Sequence, residues 1–404
     1  MSEHVEKRRR VGEGLAGVAR PQPAANAAFS WSKGFDPQCP ELRRAFEQDG
    51  YVLIKGLLQS EELKRLETAV SSDGGIVSHA YGRDDGMGRK TRLALWNQPG
   101  NDVTGMIARV PRVASTMESL LGGEVYHYHT KLMMKDARTG GAALWHQDFG
   151  YWSNNGCLYP DMGTCFITLD KMDKENAGLQ VLRGSHRLGL LPHHMKGGQA
   201  EADQKRMEWA KEAGFEHVHL DMDPGDGLFF HSLTLHTSSQ NHSGRRRWCF
   251  LVAFNRADNQ PMIEHHHPQY CPLEPAPDDA ILDPTTPLVD QSGKDFMNPK
   301  NDESVEKYKE HGLWLGSSKF PSAKLAAIIV ASSSSSSSVS PSSSFSLLPP
   351  SSSLLPPPSC SSALLLLLPP LLLIVILLLL LLLLACLLAL SLRSLQAARC
   401  TEFS

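Results

Sequence analysis

The sequence predicts a mainly β protein with flanking helices, built on a double-sheet jelly-roll core. Three observations carry this expectation. Short apolar runs at 125–135, 165–169, 228–235 and 248–254 are separated by turns rich in Gly, Asp and Asn, the rhythm of an antiparallel two-sheet fold. The stretch Asp223-Pro224-Gly225-Asp226-Gly227 reads as a turn that launches the third of these strands. Helix-prone segments precede the strands, where they can pack outside a sheet. Once the biased ends are set aside, about 280 residues remain, enough for one single-cored domain.

In chain order, residues 1–38 read as a basic, solvated tail. Lys7-Arg8-Arg9-Arg10 could serve as a nuclear address, but no apolar run follows to make a secretory signal. The catalytic domain is placed at 39–320. Residues 41–48 read as a helix and 51–54 as a strand, and Ser60-Glu61-Glu62-Leu63 reads as the capped start of a helix running to Val70. Residues 199–213 are charged and helix-prone and read as an inserted, exposed helix over the mouth of the barrel. Residues 321–404 are a Ser/Pro/Leu tail, too biased at 331–362 to pack a core. Its apolar stretch 371–390 is long enough to cross a bilayer. It reads either as a tail anchor, with membrane association, or as a mistaken gene model such as a translated intron.

The chemistry sits in Trp145-His146-Gln147-Asp148 and in His236, ninety residues later. In a strand, residues i and i+2 face the same way, so His146 and Asp148 can grip one metal while Gln147 points away. With His236 they make a two-histidine, one-carboxylate set, which holds ferrous iron and leaves three positions open for a co-substrate and dioxygen. His236 falls at the far end of the strand 228–235. Beyond it, 236–247 is a polar turn ending in Arg245-Arg246-Arg247, and a guanidinium there can form a two-pronged pair with a carboxylate. Composition agrees with an enzyme. Aromatics are 7% and charged residues 21%, and a net charge of −3 gives no reason to expect nucleic acid as a partner. Eight scattered cysteines without a Cys-x-x-Cys pair fit a reducing, cytoplasmic compartment.

These residues resemble the phytanoyl-CoA dioxygenase family of Fe(II)/2-oxoglutarate-dependent oxygenases. The resemblance covers roughly 39–275. It rests on His146-Gln147-Asp148, on the run from Glu175-Asn176-Ala177-Gly178 to Gly184-Ser185-His186, on His236, Ser238, Asn241, Ser243 and Arg247, and upstream on Asp49-Gly50-Tyr51-Val52. It implies a double-stranded β-helix, cupin-like core, with His146, Asp148 and His236 as iron ligands. Arg247 would hold the distal carboxylate of 2-oxoglutarate, with Ser238 donating a hydrogen bond to it. Arg245 and Arg246 compete for that role. Arg247 is preferred because the family's arginine lies eleven residues past the distal histidine, and because strand alternation turns it inward with Cys249. The cofactors implied are Fe(II), 2-oxoglutarate and O2, with ascorbate left open as an accessory reductant. The retained carboxylate at Asp148 favours hydroxylation over halogenation.

By the same resemblance His129, Lys131 and Met133, which alternation sets on one face, touch 2-oxoglutarate and substrate. The competing reading buries the opposite face and leaves Lys131 in solvent. Tyr151 and Trp152 follow the ligand pair and either cover the substrate side of the iron or simply pack. Ile167 and Thr168 lie on the strand that backs the co-substrate, where some relatives carry a bulky aromatic. His265-His266-His267 and His193-His194 are read as surface. His231 is assigned to the opposite face of its strand from His236, and the sequon at Asn241 is discounted. The function expected is hydroxylation of an unactivated C–H bond of a small, acyl or anionic, molecule. Two alternatives stay open: a silent jelly roll acting as sensor or scaffold, and a cupin-like metalloenzyme that needs no 2-oxoglutarate.

Overall fold

The computed structural model describes residues 28–301, Asp73 excepted. The basic run at 7–10, the Ser-rich run and the apolar stretch 371–390 lie outside the described residues. Within them no helix is long and apolar enough to cross a membrane, and all five cysteines are free.

The chain begins with β1 (Ala28–Ser30), α1 (Pro40–Asp49), β2 (Tyr51–Lys55), α2 (Ser60–Ser71), β3 (Tyr81–Asp84) and β4 (Lys90–Trp96). There follow α3 (Val103–Arg109), α4 (Ala114–Leu121), β5 (Val125–Lys135), β6 (Ala143–His146), α5 (Phe149–Trp152) and β7 (Met162–Thr168). The rest comprises β8 (Gln180–Leu182), β9 (His193–Lys196), β10 (Gln199–Ala202), α6 (Gln204–Glu212), β11 (His217–His219), β12 (Gly227–His231), β13 (His236–Ser238) and β14 (Arg247–Arg256). Eight strands form one sheet in the order β1-β2-β12-β7-β14-β5-β4-β3, and four form a second in the order β11-β8-β13-β6. This is the mainly β, two-sheet jelly roll expected.

Local chemistry sets the helices. Pro40 opens α1, and Gly50 closes it in the left-handed conformation, donating to Phe46 O. Helix α2 starts on a capping box, but Gln59 rather than Ser60 is the cap, with Glu62 reaching back. Residues 28–38, expected in the tail, belong to the fold: β1 pairs in parallel with β2, and Trp31 and Phe35 pack on the core.

Alternation decides what each strand shows to each side. Leu132, Met134, Ile167, Phe229, Phe250 and Val252 face the core shared with α1 to α4. Their neighbours Phe166, Leu228, Phe230, Cys249 and Leu251 face the small sheet and meet Leu179 and Val181. A register shift between β14 and β5 leaves Tyr128 without its own partner, between His127 and His129. This bulge changes the phase of β5, so the inward set becomes His129, Lys131 and Met133.

Two elements depart from expectation. The strand predicted at 228–235 stops at His231. Ser232 Oγ donates to Pro160 O and Thr234 Oγ1 to Gly50 O, and these local bonds turn the chain out of the ladder, so that His236 starts a strand of the other sheet. Residues 199–213 are not one helix. Gly197, at φ 59°, turns a hairpin that makes 199–202 a buried strand, and Asp203 then caps α6 by accepting from Arg206 N. Helix α6 is largely exposed, but Met207 and Ala210 pack on Leu182 and Leu235, on the outer side of the small sheet rather than over the cavity.

Candidate active site

His146 ends β6 and His236 begins β13, and the two are direct cross-strand partners with ring centroids 4.2 Å apart. Asp148 is not on the strand. Its backbone is helical (φ −57°, ψ −37°) and leads into α5. The same-face argument from strand geometry therefore fails, yet the turn into α5 delivers the carboxylate to the same place. Asp148 Oδ1 lies 3.6 Å from His146 Nε2 and 3.8 Å from His236 Nε2. One ligand atom from each of the three residues falls within 4.8 Å of the others.

The donor set is preset for a divalent metal. His146 Nδ1 donates to Leu144 O at 2.6 Å and His236 Nδ1 to Thr234 O at 2.9 Å, so the hydrogens sit on Nδ1 and the Nε2 lone pairs face Asp148. Asp148 Oδ2 accepts from Thr164 Oγ1 at 3.0 Å, which fixes the carboxylate. Burial alone would raise the Asp148 pKa, but the adjoining His146, His236 and Lys131 outweigh it and hold the group below the usual carboxylate range. Burial lowers His236 to about 4, so it is neutral at physiological pH. An ionised carboxylate and neutral imidazoles are the states a metal requires.

Gln147, between the ligands, does point away. It is fully buried, with Nε2 donating to Gly189 O and Leu233 O and Oε1 accepting from Leu191 N, all at 2.8 Å. Gln147→Ala would strand these three backbone groups. The expected loss is about 3 kcal/mol of unfolding free energy at about 1 kcal/mol per group, read by urea denaturation. A loss below about 1 kcal/mol would show that these bonds do not brace the ligand turn.

The three arginines separate cleanly. Arg245 pairs with Asp173 and Glu175, and Arg246 with Asp170 and Glu67, all near the surface. Arg247 is 1% exposed and lines the cavity that holds the triad. Its Nη1 meets Cys249 Sγ at 3.3 Å, but Nε and Nη2 have no partner. A buried guanidinium with unsatisfied donors suits a carboxylate ligand. Opposite Arg247 on β5 is Lys135, also buried, whose ammonium donates to Ser238 O at 3.1 Å and to Ser239 O. Burial, with Arg247 nearby, pushes the Lys135 pKa well down. The cavity has a volume of about 100 Å³ and lies between the two sheets.

Comparison with known proteins decides the family. The family model for phytanoyl-CoA dioxygenase (PhyH) matches residues 46–249. The chain belongs to the phytanoyl-CoA dioxygenase family. It is 32% identical to L-proline trans-4-hydroxylase of Streptomyces griseoviridis over 178 residues, 40% of this chain and 66% of that protein. It is 24% identical to an ectoine dioxygenase of Bordetella parapertussis over 266 residues, covering 62% of this chain and 85% of the relative. The crystal structure of EctD from S. alaskensis with 2-oxoglutarate and 5-hydroxyectoine shares the fold (TM-score 0.51, 18% identity, 67% of this chain, 95% of that one).

In this dioxygenase His129, Lys131, Met133, Tyr151, Trp152 and Ser238 line the cavity, Trp152 and Tyr151 also packing in an apolar cluster with Tyr128 and Phe149. Lys131 is half-buried at the cavity, although the opposite face of its strand, with Leu132 and Met134, is the one packed in the core. Ile167 is a correction: it faces the helix-side core, and Thr168 Oγ1 is bonded to Asp223 O. The aromatic sought at those positions is one residue earlier, Phe166, with Phe230 beside it in the lining. Only the parity of β7 separates Phe166 from Ile167.

The histidine pairs and triplet were misjudged in part. His193 is buried, accepts from Gln147 N at 3.1 Å, and lies so close to Gly150 that an added Cβ would come within 2.9 Å of its ring. His194 is half-buried and paired with Glu201. His267 is buried and lines the cavity, while His265 and His266 are half-buried. His231 does lie outside the ligand set, beside His186 and Phe46, although the single strand expected to separate it from His236 does not exist. Asn241 is buried, its amide donating to Arg245 O, consistent with a discounted sequon. Sequence reasoning missed Arg83, Gln199, His267 and Met297, which reach the lining from two hairpins and from the segment after β14 and carry no local motif.

Proposed function

We infer that this Fe(II)- and 2-oxoglutarate-dependent dioxygenase hydroxylates an unactivated C–H bond of a small molecule that carries an anionic group. The observation that carries this reading is the unsatisfied Arg247 guanidinium in the same cavity as the His146, Asp148 and His236 donor set. Bound Fe(II) with 2-oxoglutarate and O2 supplies the oxidising power: one oxygen atom enters the substrate as hydroxyl and the other enters succinate, with CO2 released.

The protein's part is placement. His146, Asp148 and His236 hold the metal, braced by Leu144 O, Thr234 O and Thr164. Arg247 takes the distal carboxylate of 2-oxoglutarate, Ser238 lines its binding space, and Lys135 fixes the carbonyls of Ser238 and Ser239. Phe166, Leu179, Phe230 and Trp152 exclude water. Lys131 and Arg83 leave the cavity rich in positive charge after Asp148 is committed to metal, which supports an anionic substrate group. The silent-scaffold alternative gains no support from the relatives, whose names are those of working hydroxylases.

The test is succinate formation from 2-oxoglutarate by purified protein with Fe(II) and oxygen, with and without L-proline or ectoine. The expected result is oxygen-dependent succinate, stimulated by the substrate class that fits. No succinate under any condition would overturn the reading.

A further inference from the structure

We propose that His267 is a specificity-determining residue: paired with His129, it accepts a hydrogen bond from an N–H or O–H group of the substrate. This rests on the dioxygenase reading above and names how its substrate is recognised. His267 lies beyond the family-matched residues 46–249, on the segment after β14 that returns across the molecule. That segment is tied down. The buried Lys294 ammonium donates to Pro99 O (2.8 Å), Asp102 Oδ1 (3.0 Å) and Thr104 Oγ1 (2.9 Å). Phe296 stacks on His79 at 3.6 Å, and Met297 N donates to Leu95 O. The segment thus delivers His267 and Met297 to the cavity wall on a fixed support.

The hydrogen-bond network sets the tautomer. The Asn97 amide nitrogen donates to His266 O (2.5 Å) and Asp295 Oδ2 (2.9 Å), so Asn97 Oδ1 faces His267 Nδ1 at 2.8 Å as an acceptor. His267 therefore carries its hydrogen on Nδ1, and the nitrogen left for a ligand, Nε2, presents a lone pair.

The ring is held rigidly, 4.7 Å from His129 and 4.6 Å from Tyr128. The bulge in β5 makes this packing possible, because it lets Tyr128 and His129 both face inward. His129 stands against Trp152 at 5.7 Å, and its buried Nδ1 has no partner. Burial keeps both imidazoles neutral, their pKa values well below the usual histidine range. His129 lies six residues along β5 from Lys135, the partner of Arg247, or roughly 20 Å of strand. The imidazole pair is thus far from the co-substrate anchor. A carboxylate drawn to Lys131 and Arg83, together with an N–H or O–H donor drawn to the imidazoles, describes a small amino or hydroxy acid.

The experiment is calorimetric titration of L-proline into full-length protein loaded with Fe(II) and 2-oxoglutarate without oxygen. His267→Phe keeps a stacked ring but has no acceptor, and is expected to weaken L-proline roughly tenfold, the worth of one substrate hydrogen bond. Its 2-oxoglutarate affinity stays as in the wild type. His267→Gln, whose amide oxygen restores an acceptor, recovers the affinity, and Asn97→Ala, which frees the tautomer, loses it again. Wild-type affinity for L-proline in His267→Phe overturns the assignment, as does an equal loss of 2-oxoglutarate affinity. Wild-type protein that binds 2-oxoglutarate but no L-proline overturns the donor-bearing substrate class. Wild-type protein that binds no 2-oxoglutarate overturns the dioxygenase reading itself, so the two failures are distinguishable.

Discussion

Tight iron binding and all oxygen-dependent turnover are lost in His146→Ala and in Asp148→Ala. Each removes one of three donors that lie within 4.8 Å of one another. Loss of an outer partner of a metal ligand alone costs about 10–100-fold in affinity. Loss of the ligand itself exceeds that, and for Asp148 it also leaves no negative charge to balance the metal. The fold survives in both variants, because neither side chain belongs to the helix-side core. Iron content after gel filtration and circular dichroism together check this. Full turnover in either variant would remove the residue from the ligand set. Asp148→Gly is the sharper change, since two histidines can retain iron and the vacated space admits chloride.

Arg247→Ala raises the 2-oxoglutarate requirement by two or more orders of magnitude. A buried carboxylate that loses its charged partner costs about 3–5 kcal/mol, because the remaining charge stays desolvated. Arg245→Ala and Arg246→Ala break exposed pairs, each worth about 1 kcal/mol or less, and leave the requirement near its wild-type value. The three variants together test the strand register, since a large effect at Arg246 instead would mean that β14 faces the other way. Steady-state kinetics at varied 2-oxoglutarate give the answer.

How much of this was legible in the sequence follows from which interactions are local. Strand alternation fixed the inward set His129, Lys131 and Met133 and turned Arg247 rather than Arg246 into the cavity, because period-two patterning is a property of the strand itself. The helices α1 and α2 were legible from residues 41–48 and from the capped start at Ser60-Glu61-Glu62, although the cap proved to be Gln59, one residue earlier. The same logic misled where the chain leaves a strand. Asp148 reaches the metal site by starting a helix, and His236 reaches it because Ser232 and Thr234 break the strand before it. The choice of Ile167 over Phe166 was an error of one residue, which in a strand reverses the face. His193, His267 and Lys135 were hidden for another reason. Their burial is imposed by segments distant in sequence, and a histidine or lysine in a polar stretch gives no local sign of it.

The central claim is that one cavity binds Fe(II) through His146, Asp148 and His236 and binds 2-oxoglutarate through Arg247. Its most direct test is an anaerobic titration that follows the visible charge-transfer band formed when 2-oxoglutarate chelates ferrous iron. The account predicts a saturable band in the wild type, none in His236→Ala, and in Arg247→Ala a band that appears only at far higher 2-oxoglutarate. A band of undiminished strength in His236→Ala, or one that saturates as in the wild type in Arg247→Ala, would contradict it.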